Sequence, residues 1–271
     1  MASALSLARQ GYATHIIEKG KALGGQALNL HTTALGEAVQ PKLAGLVQEV
    51  ENEAKIKVHL NTSLSGVEGF VGNFKSTLAS NGTQEIIEHG IAVMATGASE
   101  LQPTEYGYGQ NPKIVTGLEL DRKFLEQDAS LDQIDTAVFI QCVGSREPER
   151  PYCSRVCCTH SIHSALELKK RNPEMSIFIL YRDIRTYGEK EYLYRAAREQ
   201  GIIFIRYSLD RKPEVAINGD TVTIRTVDHV LGTPVEIAGG RPWDATNSAS
   251  KPKKKIRTRR RSAGRPDRMA A

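Results

Sequence analysis

Between residues 135 and 207, apolar runs of strand length alternate with amphipathic helical stretches, and this rhythm limits the fold more than any other feature of the chain. DTAVFIQC (135–142), SIFILYRD (176–183) and IIFIRY (202–207) carry near-continuous apolar runs, as strands buried on both faces do. Between them, VCCTHSIHSALELKKR (156–171) and GEKEYLYRAAREQ (188–200) read as helices, the second closed by Gly201. A helical crossover returns the chain to the same end of a sheet, so strands joined this way pair in parallel and form a doubly wound α/β domain. Residues 214–238 then alternate, in VAI, TVTIRTV and TPVEI, as a β-meander.

The first half has a related organisation. Residues 3–10 read as the end of an amphipathic helix with Gly11 behind it, and THIIEKG (14–20) as a short buried strand ending at Glu18. A helix, a strand and an acid at the strand's end match the second half of a dinucleotide-binding βαβ unit, where the carboxylate accepts hydrogen bonds from a ribose hydroxyl. The competing reading of Glu18 is a solvated carboxylate. A glycine-rich phosphate loop would begin about 20 residues before such an acid. Only seventeen residues precede Glu18, so the chain is expected to start inside a domain. Gly24 and Gly25 allow close backbone approach to a ligand or simply make a turn. Leu43, Leu46, Val47 and Val50 define a helix with Pro41 near its start, KVHLNT (57–62) a strand, and residues 64–79 a hairpin with Gly72-Asn73 near its tip. GIAVMATGAS (90–99) reads as a buried strand breaking at Gly97, and residues 100–112 as a segment crossing between domains.

All four cysteines fall in one loop, CVGSREPERPYCSRVCC, at Cys142, Cys153, Cys157 and Cys158. The loop joins a strand to a helix, where a nucleotide-binding domain carries its phosphate-binding glycines. Four thiolates there can surround an iron–sulfur cluster or a zinc ion. Zinc favours paired CxxC knuckles, and adjacent cysteines suit a cluster better because they can reach different irons. Zinc and a redox disulfide through Cys157 and Cys158 stay open. Arg146, Arg150 and Arg155 bring positive charge to the loop, which raises the potential of an anionic cluster. His160 and His163 are expected on an ordinary helix surface.

The net charge of +5 conceals two regions. Residues 239–271 hold eleven of the 36 Lys/Arg and two of the 31 Asp/Glu, leaving 25 against 29 in the preceding body. A mildly acidic body argues against a nucleic-acid-binding protein. No apolar run approaches the ~18 residues of a membrane span, and the first stretch lacks the pattern of a signal peptide. The expectation is a cytoplasmic protein whose clustered thiols serve metal or redox chemistry.

FIQCVGSREPERPYCSRVCCTHSIHSALELKKRNPEMSIFILYRDIRTYG strongly resembles the A subunit of heterodisulfide reductase and its relatives, which include the A subunit of the quinone-interacting membrane-bound oxidoreductase complex. GFVGNF (69–74), EHGIAVMATGA (88–98) and PTEYGYG (103–109) extend the resemblance over about residues 1–235. It implies an α/β flavoprotein of thioredoxin-reductase-like fold with two dinucleotide-binding domains. These are an incomplete FAD-binding domain over residues 1–110 and a second, doubly wound domain over residues 111–238 that carries the cysteine loop. It also implies a 4Fe–4S cluster on Cys142, Cys153, Cys157 and Cys158. Glu18 would hold the FAD ribose, with Lys19, Gly24, Gly25 and Val67 lining the adenosine and pyrophosphate path, and Ala95, Thr96 and Gly97 forming a second flavin-contacting strand end. The implied function is electron transfer between FAD and the cluster, with no side chain acting as acid, base or nucleophile. The implied partners are B- and C-type subunits and a hydrogenase, dehydrogenase or ferredoxin donor, with a homodimer also compatible. The alternative is a non-catalytic iron–sulfur or zinc docking module without flavin. The pattern stops after VEIAGG (235–240), and residues 239–271 are expected to be a disordered basic tail, either the frameshifted or foreign end of a gene fragment or a genuine basic arm for nucleic acid or acidic lipid.

Overall fold

Helix α1 (Ala2–Arg9) buries Ala4, Leu5 and Ala8. Gly11, at φ +99°, then turns the chain into strand β1 (Thr14–Ile17), a conformation that suits glycine. β1 pairs in parallel with β2 (Ile56–His59), in register from Thr14 with Ile56 to Ile17 with His59. Helix α2 (Val39–Asn52), with Pro41 in its first turn, makes the crossover. Leu5, Leu23 and Val50 form a small core there, against Ile16, Leu46, Val47, Ile56 and Val58.

Strands β3 (Ser63–Phe70), β4 (Asn73–Ser80) and β5 (Thr83–His89) follow as an antiparallel meander with β4 in the middle. The hairpin expected from residues 64–79 is present, and β5 extends it. Gly69 is required by this sheet: it sits at φ +97°, and a Cβ there would stand 2.1 Å from the Asn73 carbonyl oxygen. The sequence reading of residues 90–99 as a buried strand is corrected. The segment forms no strand ladder, and Ile91, Val93 and Met94 are exposed. Burying an apolar strand requires a ladder of hydrogen-bonded neighbours, and the described residues offer this segment no such ladder.

Helix α3 (Gly117–Leu125) was not read from the sequence, although its signature is there. Thr116 Oγ1 accepts from the Glu119 N–H and Glu119 accepts from the Thr116 N–H, a reciprocal capping box. The rhythm of the second half is as expected: β6 (Thr136–Ile140), α4 (Cys157–Arg171), β7 (Ser176–Tyr181), α5 (Glu191–Glu199) and β8 (Ile203–Arg206). The three strands pair in parallel in the order β6-β7-β8. One face of this sheet meets the helices, where Leu120, Phe124, Ile162, Leu168, Ile177, Ile179 and Leu193 pack together. The other face meets the antiparallel strands β9 (Glu214–Asn218), β10 (Thr221–Val227) and β11 (Pro234–Gly239), through Leu180, Ile205, Tyr207, Ile224 and Ile237. A sheet covered on both faces explains why its strands read as continuous apolar runs.

This computed structural model describes residues 1–239. Met1–Gly240 cluster as one compact unit. The expected basic tail from residue 240 onward lies outside the described residues. No helix among them is long and apolar enough to cross a membrane.

Candidate functional site

The cysteine loop leaves the carboxyl end of β6 and enters the amino end of α4, so the parallel sheet delivers its thiols to the edge where α/β folds place ligands. Cys142 lies just past the strand, and Cys157 and Cys158 are the first two residues of the helix. The loop backbone is unusual. Cys142, Arg146 and Arg155 are non-glycine residues at φ +62°, +58° and +66°. Left-handed side-chain-bearing residues cost of the order of 1 kcal/mol each and persist where surrounding contacts over-determine them.

Those contacts come from the ends of the neighbouring strands and from the loop itself. Gln141 N–H donates to the Leu180 carbonyl at 2.9 Å, and the Tyr207 hydroxyl donates to the Gln141 carbonyl at 2.5 Å. The Cys158 thiol points to the Asp183 carbonyl oxygen at 3.7 Å. Arg146 reaches Cys142 Sγ with one guanidinium nitrogen, at 3.8 Å, and Asp183 with the other, at 2.5 Å. Arg182 donates to the Arg146 carbonyl at 2.9 Å, and Arg150 to that of Gly144 at 3.4 Å. Arg155 contributes its backbone N–H to Cys153 Sγ at 3.3 Å. Two of the three arginines expected at the loop thus meet sulfur, one by side chain and one by backbone.

The thiols differ in character. Burial pushes the Cys142 thiol up, against the pull of the Arg146 contact. The hydrogen bond between the neighbouring thiols lowers Cys157 and raises Cys158, since one proton shared between two sulfurs makes the first ionisation easy and the second hard. The three thiols are thus uneven, Cys157 eased toward its thiolate and Cys142 and Cys158 held toward the protonated form. Among the described residues, no three His, Cys, Asp or Glu side chains are grouped so as to hold a metal ion. Four cysteine side chains are the donor chemistry that an iron–sulfur cluster or a zinc ion takes.

His160 and His163 are corrected from helix surface to packed, hydrogen-bonded positions. His160 Nε2 stands 2.8 Å from Asp121 Oδ2 on α3, and His163 Nε2 stands 2.6 Å from the Thr32 hydroxyl. The side chain of His163 is 9% exposed. Burial opposes protonation of both, and only at His160 does the carboxylate outweigh it, so its pKa rises while that of His163 falls. Both histidines bind the helix to its neighbours.

Of the residues expected to receive a dinucleotide, Glu18 and Lys19 stand just past the end of β1. Glu18 Oε1 accepts from the Gly20 N–H at 2.6 Å, so part of its carboxylate shapes the turn. Gly24 and Gly25 have φ of +122° and +51°, and a Cβ on Gly25 would meet no atom within 4 Å. Gln26 Nε2 donates to the Ala98 carbonyl at 3.1 Å, so this turn and the segment holding Ala95, Thr96 and Gly97 lie side by side. Val67 stands apart on β3, half exposed and in register with Ser76.

No family model matches the chain. Among curated proteins, the A subunit of the H2:CoB-CoM heterodisulfide,ferredoxin reductase of Methanothermobacter marburgensis is 36% identical over 167 residues, which cover 55% of this chain and 25% of that protein. The iron-sulfur A subunit of the CoB–CoM heterodisulfide reductase of Methanocaldococcus jannaschii is 25% identical over 331 residues, covering 87% of this chain and 50% of that protein. The chain therefore spans a quarter to a half of the length of these relatives. Among solved structures, the ornithine N-hydroxylase of Kutzneria sp. 744, with reduced FAD, NADP+ and L-ornithine, superposes with a TM-score of 0.50 at 8% identity, over 87% of this chain and 75% of that one. Sequence kinship is thus to heterodisulfide reductase A subunits, as the resemblance of the cysteine loop implies, and the α/β fold is shared with that hydroxylase.

Proposed function

We propose that this chain is part of an electron-transfer flavoprotein subunit of a heterodisulfide-reductase-like complex, passing electrons between FAD and a 4Fe–4S cluster. The observation that carries the reading is the cysteine loop, which holds all four cysteines between the carboxyl end of β6 and the amino end of α4. Kinship to proteins named as A subunits, one of them as an iron-sulfur subunit, supports it. Cys142, Cys153, Cys157 and Cys158 would hold the cluster. Glu18, Lys19, Gly24, Gly25 and the segment around Ala95, Thr96 and Gly97 would receive the dinucleotide, with Val67 on its adenosine side. The bound groups supply the electron chemistry. The protein contributes position and field: the strand end and helix amino terminus fix the thiols, and Arg146 and the helix dipole set positive charge beside them. No general acid, base or nucleophile is required. Within the division into FAD-binding and second domains proposed for residues 1–110 and 111–238, the partners would be B- and C-type subunits and a ferredoxin-, dehydrogenase- or hydrogenase-type donor.

Anaerobic purification and reconstitution with iron and sulfide test this reading. The expected product carries about four irons and four sulfides per chain, and its reduced form gives a paramagnetic cluster signal. Serine at Cys142, Cys153, Cys157 or Cys158 should each lower iron retention. A colourless chain holding one zinc, or four serine variants that load iron like the wild type, would overturn it.

A further inference from the structure

We propose that Asp183, just past the end of β7, is a positioning residue that holds the Arg146 guanidinium against Cys142 Sγ and thereby sets the reduction potential of the cluster; the inference rests on the cluster reading above. Asp183 touches the cysteine loop at both ends. Its side chain takes Arg146 at 2.5 Å, and Arg146 in turn reaches Cys142 at 3.8 Å. Its backbone carbonyl receives the Cys158 thiol at 3.7 Å. Asp183 itself is anchored by Arg206, at the end of β8, at 3.5 Å. Arg206 also donates to the Arg182 carbonyl at 3.1 Å, and Arg182 donates to the Arg146 carbonyl at 2.9 Å.

Two features make Arg146 dependent on this partner. Its backbone is left-handed, a conformation that local preference does not favour. Its side chain is only 17% exposed, so a guanidinium there needs a carboxylate to offset its lost hydration. A planar fork with two parallel sets of N–H donors can serve a carboxylate and a sulfur at once, which a lysine ammonium on a flexible stem does less well. Asp183 thus converts a long mobile cation into a fixed one beside the first sulfur ligand.

The sign of a potential shift separates positioning from simple charge. Asp183→Asn removes a negative charge near an anionic cluster, and by electrostatics alone it would raise the potential. If Asp183 works by holding Arg146, the guanidinium swings to solvent and the potential falls, in the same direction as in Arg146→Gln. Potentials would be measured by anaerobic dithionite titration, followed by the electron paramagnetic resonance signal of the reconstituted full chain, with iron content as the check on loading. The expected results are a fall in Asp183→Asn and return towards wild type in Asp183→Glu. Should Asp183→Asn fail to fold or load, Arg146→Lys is read instead, since it keeps the charge but weakens the fork; a fall is again expected. A loaded wild type with an unchanged or raised potential in the variant read overturns the inference alone. A wild type that takes up no iron overturns the cluster reading and this inference together.

Discussion

Tyr207 shows how a residue far from the cysteine loop in sequence holds it in space. Its side chain is packed against Leu180, Ile224 and Ile237, with 3% of the residue exposed, and its hydroxyl donates to the carbonyl of Gln141, the residue before Cys142. Burial raises the pKa of this phenol, so it stays a neutral donor across the ordinary pH range. Tyr207→Phe keeps the ring and strands a buried carbonyl, a loss of about 1–3 kcal/mol. The expected outcome is a lower urea midpoint with an unchanged slope, together with poorer iron loading of the reconstituted chain. Unchanged midpoint and loading would show that the Gln141 carbonyl does not depend on this bond. The four cysteines could be found in the sequence because they are clustered there. Tyr207 and Asp183 could not, since they lie 66 and 37 positions from the loop residues they hold and no local pattern announces a contact of that range. His160 and His163 misled for a related reason: helical spacing places them on a face but does not reveal that α3 and the Thr32 segment cover it.

Among the elements, those of the second half were legible because their strands are buried on both faces and their helices are long enough to show a period. Residues 90–99 were misread for the converse reason, since composition reports a segment's preference for burial but not whether a neighbouring strand is there to pair with it. The contact between the β1–β2 sheet and the meander is polar and could not be read at all. His15 Nδ1 lies 2.9 Å from His59 Nε2 with the rings stacked, and His59 Nδ1 stands 3.5 Å from Glu85 on β5. Lys57 pairs with the same carboxylate at 2.8 Å, and His89 adds its field from the end of β5. Burial is the largest influence on both histidines and lowers both pKa values below 6.5, with Lys57 assisting and Glu85 opposing. The unfolded chain therefore binds more protons than the folded one between the lowered values and 6.5. Their contribution to stability is fully present above 6.5 and declines as the pH falls through that window. Urea midpoints at about pH 7.5 and about pH 5 should differ, with the acid value lower, and His59→Gln should shrink the difference. An equal difference in wild type and variant would remove this histidine pair as a cause.

At the scale of the whole molecule, the sequence suggests two domains, while the structure brings segments of both into shared contacts. Thr32 hydrogen-bonds His163, Ala34 packs against the α4–α5 core, and His31 stacks on Phe124 with ring centroids 5.5 Å apart. Within the second half itself, Asn111 and Lys113 donate to the carbonyls of Gly219 and Asp220, in the turn between β9 and β10. A segment from the first half thus completes the core of the second, so the two should unfold together, as small cooperative structures do. Ile179, on the central strand of the parallel sheet and wholly buried, is the place to test this. Ile179→Ala leaves a cavity costing about 2–5 kcal/mol. Because residues 31–34 rest on the same core, the loss should appear as one transition moved to lower urea. It should be seen equally by the far-ultraviolet signal of the whole chain and by a fluorophore attached at residue 12, where Tyr12 is exposed at the far end of β1. Two transitions, with only one displaced by Ile179→Ala, would instead mean that residues 1–110 fold independently and that the Thr32–His163 contact is a surface touch between separate bodies.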